Sequence, residues 1–254
     1  MKPLAIDLFC GKGGWTRGLI DAGFDVVGFD IERHADYPAQ LVIQDVSTLD
    51  GRQFRSANLI VASPPCQAYS YRAMPWKRAK ALPPPDNTLF EACFRIQREA
   101  SEAAGRHVPL VVENVQGAQR WVGRARWHYG SFYLWGDVPA IMPPAKARKV
   151  PVYSDPRRNG GRAVHLTSPR ENHDGLKQGG DWFGPGEDCS ISRRCGSGSP
   201  ARKAASAQIA MIPYPLARWI GEVFRPAVFQ FDPPPETPEQ MEQMEQMELL
   251  GEKP

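Results

Sequence analysis

The chain is predicted to fold as an α/β protein: a doubly wound, largely parallel sheet with helices on both faces and a small inserted lobe. Three observations predict it. Short apolar runs at residues 4–9, 26–29, 41–43, 59–62 and 110–112 alternate with helix-like stretches, the pattern of parallel strands joined by crossover helices. The texture then changes over residues 148–203, which hold nine glycines, five prolines, eleven Lys or Arg and six Asp or Glu and almost no apolar period. Finally, a helical pattern returns at 201–224 and brings the chain back to the first domain.

The first four runs are short enough for strands and too apolar for surface helices. Between the fourth and fifth, Asn87 is placed to cap a helix whose apolar positions Leu89, Phe90, Cys93, Phe94 and Ile96 recur at helical spacing. In the returning segment Pro213 and Pro215 force a break or kink, because proline lacks the amide that a helix interior needs. The expected organisation is therefore a first domain over 1–147, an insert over 148–200, helices completing the domain over 201–231 and a disordered acidic tail over 232–254. That tail carries Glu-Gln-Met three times from Glu239 to Met247. A period of three drifts around a helix of 3.6 residues per turn, so its methionines form no stable stripe.

Composition narrows the class. With 42% hydrophobic and 23% charged residues the sequence is ordinary for a globular protein. No run reaches the ~18 apolar residues of a membrane span, and no signal peptide is read, so a cytoplasmic protein without membrane contact is expected. Five cysteines, an odd number, argue against a disulfide framework. Cys189 and Cys195 lack a second pair or histidines at finger spacing, so no metal is expected. The net charge of +3 conceals an acidic tail: seven carboxylates against Lys253 make residues 232–254 −6 and leave the remainder at +9, a sign that suits a polyanionic partner.

Chemistry concentrates at the strand ends. Asp7-Leu8-Phe9-Cys10-Gly11-Lys12-Gly13-Gly14 joins the first strand to a helix, and its glycines permit a tight turn with a ligand close to backbone. Taken alone, it is equally a generic strand-to-helix turn. Asp30 ends the second strand, where a carboxylate can accept from both ribose hydroxyls of a nucleoside cofactor, and Asp45 ends the third, where it can accept from an adenine amine. A solvated loop acid is the alternative for each. The fourth strand runs into Ser63-Pro64-Pro65-Cys66-Gln67, whose prolines fix the direction of the following thiol. An isolated cysteine is usually a small core residue. Cys66 is not isolated, since the fifth strand ends in Glu113-Asn114-Val115 and adjacent parallel strands bring their carboxyl ends to one edge.

Asp-Leu-Phe-x-Gly-x-Gly-Gly, Pro-Pro-Cys-Gln and Glu-Asn-Val, in this order and at these separations, with Asp86-Asn87-Thr88-Leu89-Phe90 between the last two, resemble the cytosine-5 DNA methyltransferase family. The resemblance covers roughly residues 4–116, and the small size looks like the compact members carried by phages or mobile elements and by restriction–modification systems. It implies an S-adenosylmethionine-dependent methyltransferase sheet of Rossmann-like type, with 1–147 as the catalytic and cofactor-binding domain and 148–200 as a target-recognition lobe in which Arg157, Arg158, Arg162, Arg193 and Arg194 are candidate DNA contacts. It also implies methyl transfer to carbon 5 of cytosine in double-stranded DNA, flipped out of the stack, by a monomer with any partner nuclease unidentified.

Catalytic roles fall, by the same resemblance, on Cys66 as the nucleophile adding to carbon 6, Glu113 as the residue holding nitrogen 3 and the amine, and Arg126 as a supporting cation. The cofactor contacts implied are Asp7, Phe9, Gly11, Gly13, Gly14, Asp30, Asp45, Pro65 and Leu89. The family's Gln-x-Arg-x-Arg appears only as Gly123-Arg124-Ala125-Arg126, so surface or phosphate-contacting arginines are the alternative there. The family's Gly-Asn pair near the cofactor is absent from the closing segment 208–216. Residues 68–85 mix Ser70, Arg72, Lys77, Arg78 and Lys80 with Tyr69, Tyr71 and Trp76, as expected of a mobile catalytic loop or of an ordinary basic one. Two competitors stay open: the same reaction on RNA, and an inactive DNA-binding regulator of the same fold.

Overall fold

A computed structural model describes residues 2–73, 77–143 and 210–226. A seven-stranded sheet organises them: β1 (Leu4–Leu8), β2 (Asp25–Asp30), β3 (Gln40–Ile43), β4 (Leu59–Ala62), β5 (Leu110–Asn114), β6 (Trp127–Tyr129) and β7 (Phe132–Gly136). Their spatial order is β3-β2-β1-β4-β5-β7-β6. The first five strands are parallel, and β7 runs antiparallel to both β5 and β6. The winding reverses between β1 and β4, which opens a crevice beyond their carboxyl ends. The doubly wound class is therefore the one observed. The insert 148–200, the tail 232–254 and residues 201–209 lie outside the described residues.

All four residues of β4 and all five of β5 are buried, as required of strands covered on both faces. One face is packed by α4 (Thr88–Ala104), which sets Phe90, Cys93, Ile96 and Ala100 against Ile60, Leu110 and Val112. The other is packed by α1 (Gly14–Asp21) and by α6, the helix Tyr214–Phe224; there Trp15, Leu19, Leu216 and Ile220 meet Leu59, Val61 and Val111. Burial of each large aliphatic side chain contributes on the order of 2 kcal/mol. A Cβ on Gly18 would strike the backbone of Arg218, and one on Gly221 would strike Ala22, so α1 and α6 approach backbone to backbone. That contact carries residues 210–212 to the mouth of the crevice. Pro213 and Pro215 start α6 and do not interrupt it, because a first-turn proline loses only an amide that has no helical partner.

Three short helices, α2 (Gln67–Arg72), α3 (Lys77–Lys80) and α5 (Gln119–Val122), sit between the strands. Strand β1 stops one residue earlier than expected, because Phe9 turns to φ 56°. Asn87 does precede α4, but its side chain makes no capping bond. Asp86 takes that role and accepts the Thr88 amide at 2.8 Å. The hairpin β6–β7 was not expected. Its signal is brief: the aromatic alternation of Trp127 to Trp135 around Gly130 and Ser131, with a first strand of three residues, is too short for a periodicity to register. No helix among the described residues is long and apolar enough to cross a membrane.

Candidate active site

The crevice holds an open cavity of about 430 Å³. Its floor is the turn after β1. Phe9, Gly11 and Gly13 have φ of 56°, 49° and 77°, in the left-handed region. Two of these are glycines, and the third, Phe9, costs about 1–2 kcal/mol in that conformation. Bonds on its far side hold it there: the Cys10 amide donates to the Phe29 carbonyl at 3.1 Å and the Gly11 amide to Asp30 Oδ2 at 2.9 Å. Phe9, Gly11 and Gly14 line the cavity. Gly13 does not; it supplies the αL residue before α1 and packs under Pro38.

Asp30 and Asp45 stand on one wall. Asp30 is shaped by the chain around it, since its Oδ1 accepts the Glu32 amide at 2.9 Å and His34 Nε2 lies 3.7 Å from Oδ2. Asp45 accepts the Ser47 amide at 2.8 Å and so caps the turn after β3. Between them Ile31 is 69% exposed although it faces the cavity. The sequence reading missed it; an apolar residue directly after a strand-ending acid is the signal that would have found it.

Cys66, half-buried, faces this wall from the β4 side, with Pro64, Pro65 and Gln67 beside it. It precedes α2 with φ −97° and ψ −5° and its carbonyl accepts the Ser70 amide at 2.9 Å. Two long-range bonds fix the Ser63–Pro64 backbone. Trp15 Nε1 donates to Ser63 Oγ at 3.0 Å, and Asn114 Nδ2 donates to the Pro64 carbonyl at 3.0 Å. Asn114 is fully buried, and its Oδ1 accepts the Val115 amide at 2.8 Å. Its neighbour Glu113, 5% exposed, lines the same cavity as Cys66, and Leu89 at the start of α4 closes that side. Behind α2, the buried Tyr69 donates to Asn87 Oδ1 at 3.0 Å, and Asn87 Nδ2 donates to the Trp121 carbonyl at 3.4 Å. The helix that follows Cys66, the start of α4 and α5 are thereby braced together.

Two expected site residues stand elsewhere. Asp7 is fully buried beneath the turn, does not line the cavity, and accepts the Thr16 hydroxyl at 2.6 Å on Oδ2. Burial raises its pKa to about 7 against the pull of that bond. Arg126 lines a separate depression with Arg124, Leu110 and Asp137, at the amino end of β5 and away from Cys66. The reason is the hairpin: the Arg126 amide donates to the Leu134 carbonyl at 2.9 Å, so Arg126 leads into β6, and β7 lies between it and the strand that carries Glu113. Arg72, expected on nucleic acid, braces its own loop, with Nε donating to the Pro83 carbonyl at 2.8 Å and a terminal nitrogen to Ala68 at 2.9 Å. Trp76 and the arginines of 148–200 lie outside the described residues.

Similarity to known proteins falls in the first half of the chain. Residues 4–120 match the family described as C-5 cytosine-specific DNA methylase. The type II methylase M.HgiDII of Herpetosiphon aurantiacus is 34% identical over 83 residues, 28% of this chain and 23% of that protein. Among solved structures, a putative DNA modification methyltransferase encoded within an E. coli prophage is 25% identical at a TM-score of 0.34, over 47% of this chain and 34% of its own. The Dnmt2 methyltransferase of S. pombe is 20% identical at a TM-score of 0.33, over 47% of this chain and 36% of its own. The chain thus spans about a quarter of the curated relative and about a third of each structure.

Proposed function

Residues 4–120 belong by sequence to the C-5 cytosine-specific DNA methylase family, and from that premise we propose that the chain transfers a methyl group from S-adenosylmethionine to carbon 5 of cytosine in duplex DNA, with Cys66 as the nucleophile. One observation carries the reading: Cys66 and Glu113, from adjacent strands, share a cavity with the glycine turn and with Asp30 and Asp45. A thiol, a buried carboxyl group and a nucleoside-shaped wall in a single space suit attack on a pyrimidine beside an adenosyl donor.

The residues fit that donor. Gly11 lets the ligand approach backbone closely, Asp30 and Asp45 keep unused lone pairs for ribose hydroxyls and the adenine amine, and the exposed face of Ile31 gives the flat purine an apolar surface. When bound, S-adenosylmethionine supplies the electrophilic methyl that carbon 5 takes, leaving the bonding pair on sulfur.

Cys66 adds as thiolate to carbon 6, forming the S–C6 bond and pushing the C5–C6 π pair toward nitrogen 3. Glu113, in its protonated form, gives its proton to nitrogen 3 as that charge develops, which leaves carbon 5 enamine-like and nucleophilic. After carbon 5 has taken the methyl group, the Glu113 carboxylate recovers the nitrogen 3 proton. A solvent base then removes the proton on carbon 5, the C5–C6 double bond re-forms, and Cys66 departs as thiolate. Asn114 acts through Cys66 by holding the Pro64 carbonyl. The cytosine reaches this pocket only when flipped from the duplex.

The test incubates duplex DNA and, in parallel, transfer RNA with the purified chain and isotopically labelled S-adenosylmethionine, followed by mass spectrometry of the nucleosides. Labelled 5-methylcytosine from DNA with the wild type and none with Cys66→Ser supports the reading. Product on RNA alone replaces the substrate class, and wild-type turnover by Cys66→Ser removes the nucleophile.

A further inference from the structure

Beneath the glycine turn lies a chain of buried polar groups that the methyl transfer does not use. Thr16 Oγ1 lies 2.6 Å from Asp7 Oδ2 and 2.6 Å from the Tyr37 hydroxyl, and the Cys10 thiol and the Tyr37 hydroxyl stand together against Gly28. Proton supply fixes the direction of this chain. The Thr16 hydrogen goes to the carboxyl oxygen, so the Thr16 oxygen receives from Tyr37. Burial pushes both the Cys10 thiol and the Tyr37 hydroxyl upward, so both keep their hydrogens.

Tyr37 comes from the connection between β2 and β3, and the architecture makes room for it. A Cβ on Gly28 would collide with the Tyr37 hydroxyl, and a Cβ on Gly13 would stand 2.7 Å from Pro38 Cδ. Two adjacent residues of the connection are thus seated against the turn, one under it and one beside it. The residues before them, Ile31, Glu32 and His34, form part of the cavity wall. Glu32 and His34 are tied to Asp30 at the start of the connection, and its far end is tied down through Tyr37.

We propose that Tyr37, with Pro38, is a latch that holds the β2–β3 connection as a wall of the cofactor cavity, which makes Tyr37 a positioning residue for S-adenosylmethionine acting through Thr16 and Asp7. This rests on the reading of that cavity as the cofactor site. A wall held at both ends presents Ile31 and Glu32 already in place. A wall held only at Asp30 must be ordered by the ligand, and that cost appears in affinity and not in the chemical step.

Tyr37→Phe removes one hydroxyl and keeps the ring. The variant is compared with wild type by calorimetric titration with S-adenosylhomocysteine, by steady-state kinetics and by hydrogen exchange of the 31–39 segment. The expected result is a Kd for S-adenosylhomocysteine and a KM for S-adenosylmethionine raised about tenfold, equivalent to about 1.4 kcal/mol, with kcat changed less than about twofold. Exchange should rise in 31–39 and stay unchanged in β4 and β5. Gly28→Ala, which displaces the hydroxyl from the other side, should move the same quantities the same way. Unchanged affinity in Tyr37→Phe overturns the latch, whether or not exchange rises, and so does a fall confined to kcat. If the wild type itself binds no S-adenosylhomocysteine, the cofactor reading fails first and the latch with it.

Discussion

The two walls of the cavity are built differently. On the side of β2 and β3 the reaches are shorter: Asp30 takes the Glu32 amide and Asp45 the Ser47 amide, each two residues on, while Asp30 reaches Gly11 across 19 positions and Tyr37 reaches Thr16 across 21. On the side of β4 and β5, the segment before Cys66 is held by residues distant in the chain, with Asn114 reaching Pro64 across 50 positions and Trp15 reaching Ser63 across 48. A wall held over shorter reaches depends on fewer of the sheet's strands. A wall made by crosslinks between strands inherits every error in the packing of those strands, and that is the wall carrying Cys66 and Glu113.

This contrast predicts a separation in the kinetics. Glu113→Gln keeps the shape but cannot exchange a proton with nitrogen 3, and kcat should fall about 10²–10⁴-fold with affinity for S-adenosylhomocysteine unchanged, as read by single-turnover methylation and calorimetry. Asp30→Ala should act on the other wall: it frees the Gly11 and Glu32 amides together and should raise KM for S-adenosylmethionine about 10–100-fold, the scale of a lost charged hydrogen bond, with a smaller change in kcat. Asn114→Ala leaves the Pro64 carbonyl and the Val115 amide without their partner. It should cost about 1–3 kcal/mol of stability and lower kcat while sparing that KM. If Asn114→Ala and Asp30→Ala gave the same kinetic signature, the two walls would not be separable.

The smallest effect is expected at Asp7, which touches the β2–β3 wall only through Thr16 and Tyr37 and is read through stability. Its folded pKa is raised from 3.8 to about 7, so between those values the native chain binds more protons than the unfolded one. Stability from this group therefore falls as pH rises from about 4 to about 7 and is level above that. Asp7→Asn keeps an acceptor for Thr16 and cannot ionise, so its thermal midpoint should lose that component of the pH slope. Midpoints that track the wild type across this window would show that Asp7 stays ionised in the fold.

The same contrast explains what the sequence made legible. Apolar runs leading to Asp30, Cys66 and Glu113 announce themselves, because a parallel strand buried on both faces is apolar along most of its length and its polar residues gather toward the carboxyl end. The Phe9 turn is readable through its glycines. Asn114 and Pro64, or Thr16 and Tyr37, are ordinary polar residues in sequence and acquire their roles only when folding brings them together. Arg126 stands apart from Cys66 for a related reason: a partial match to the family's arginine motif suggests it for the site, whereas a hairpin with a three-residue strand, too short to be read, sets β7 between it and β5.

The central claim is that Cys66 bonds to the ring, and trapping tests it most directly. Fluorine at carbon 5 cannot leave as a proton does, so a random-sequence duplex carrying 5-fluorocytosine should arrest the reaction after methyl transfer with the sulfur still attached. The account predicts that, in the presence of S-adenosylmethionine, digestion and mass spectrometry find the methylated fluoropyrimidine on the peptide containing Cys66 and not on those containing Cys10 or Cys93. Methylation of ordinary duplex DNA with no adduct on the fluorinated one, or an adduct on another cysteine, would contradict it.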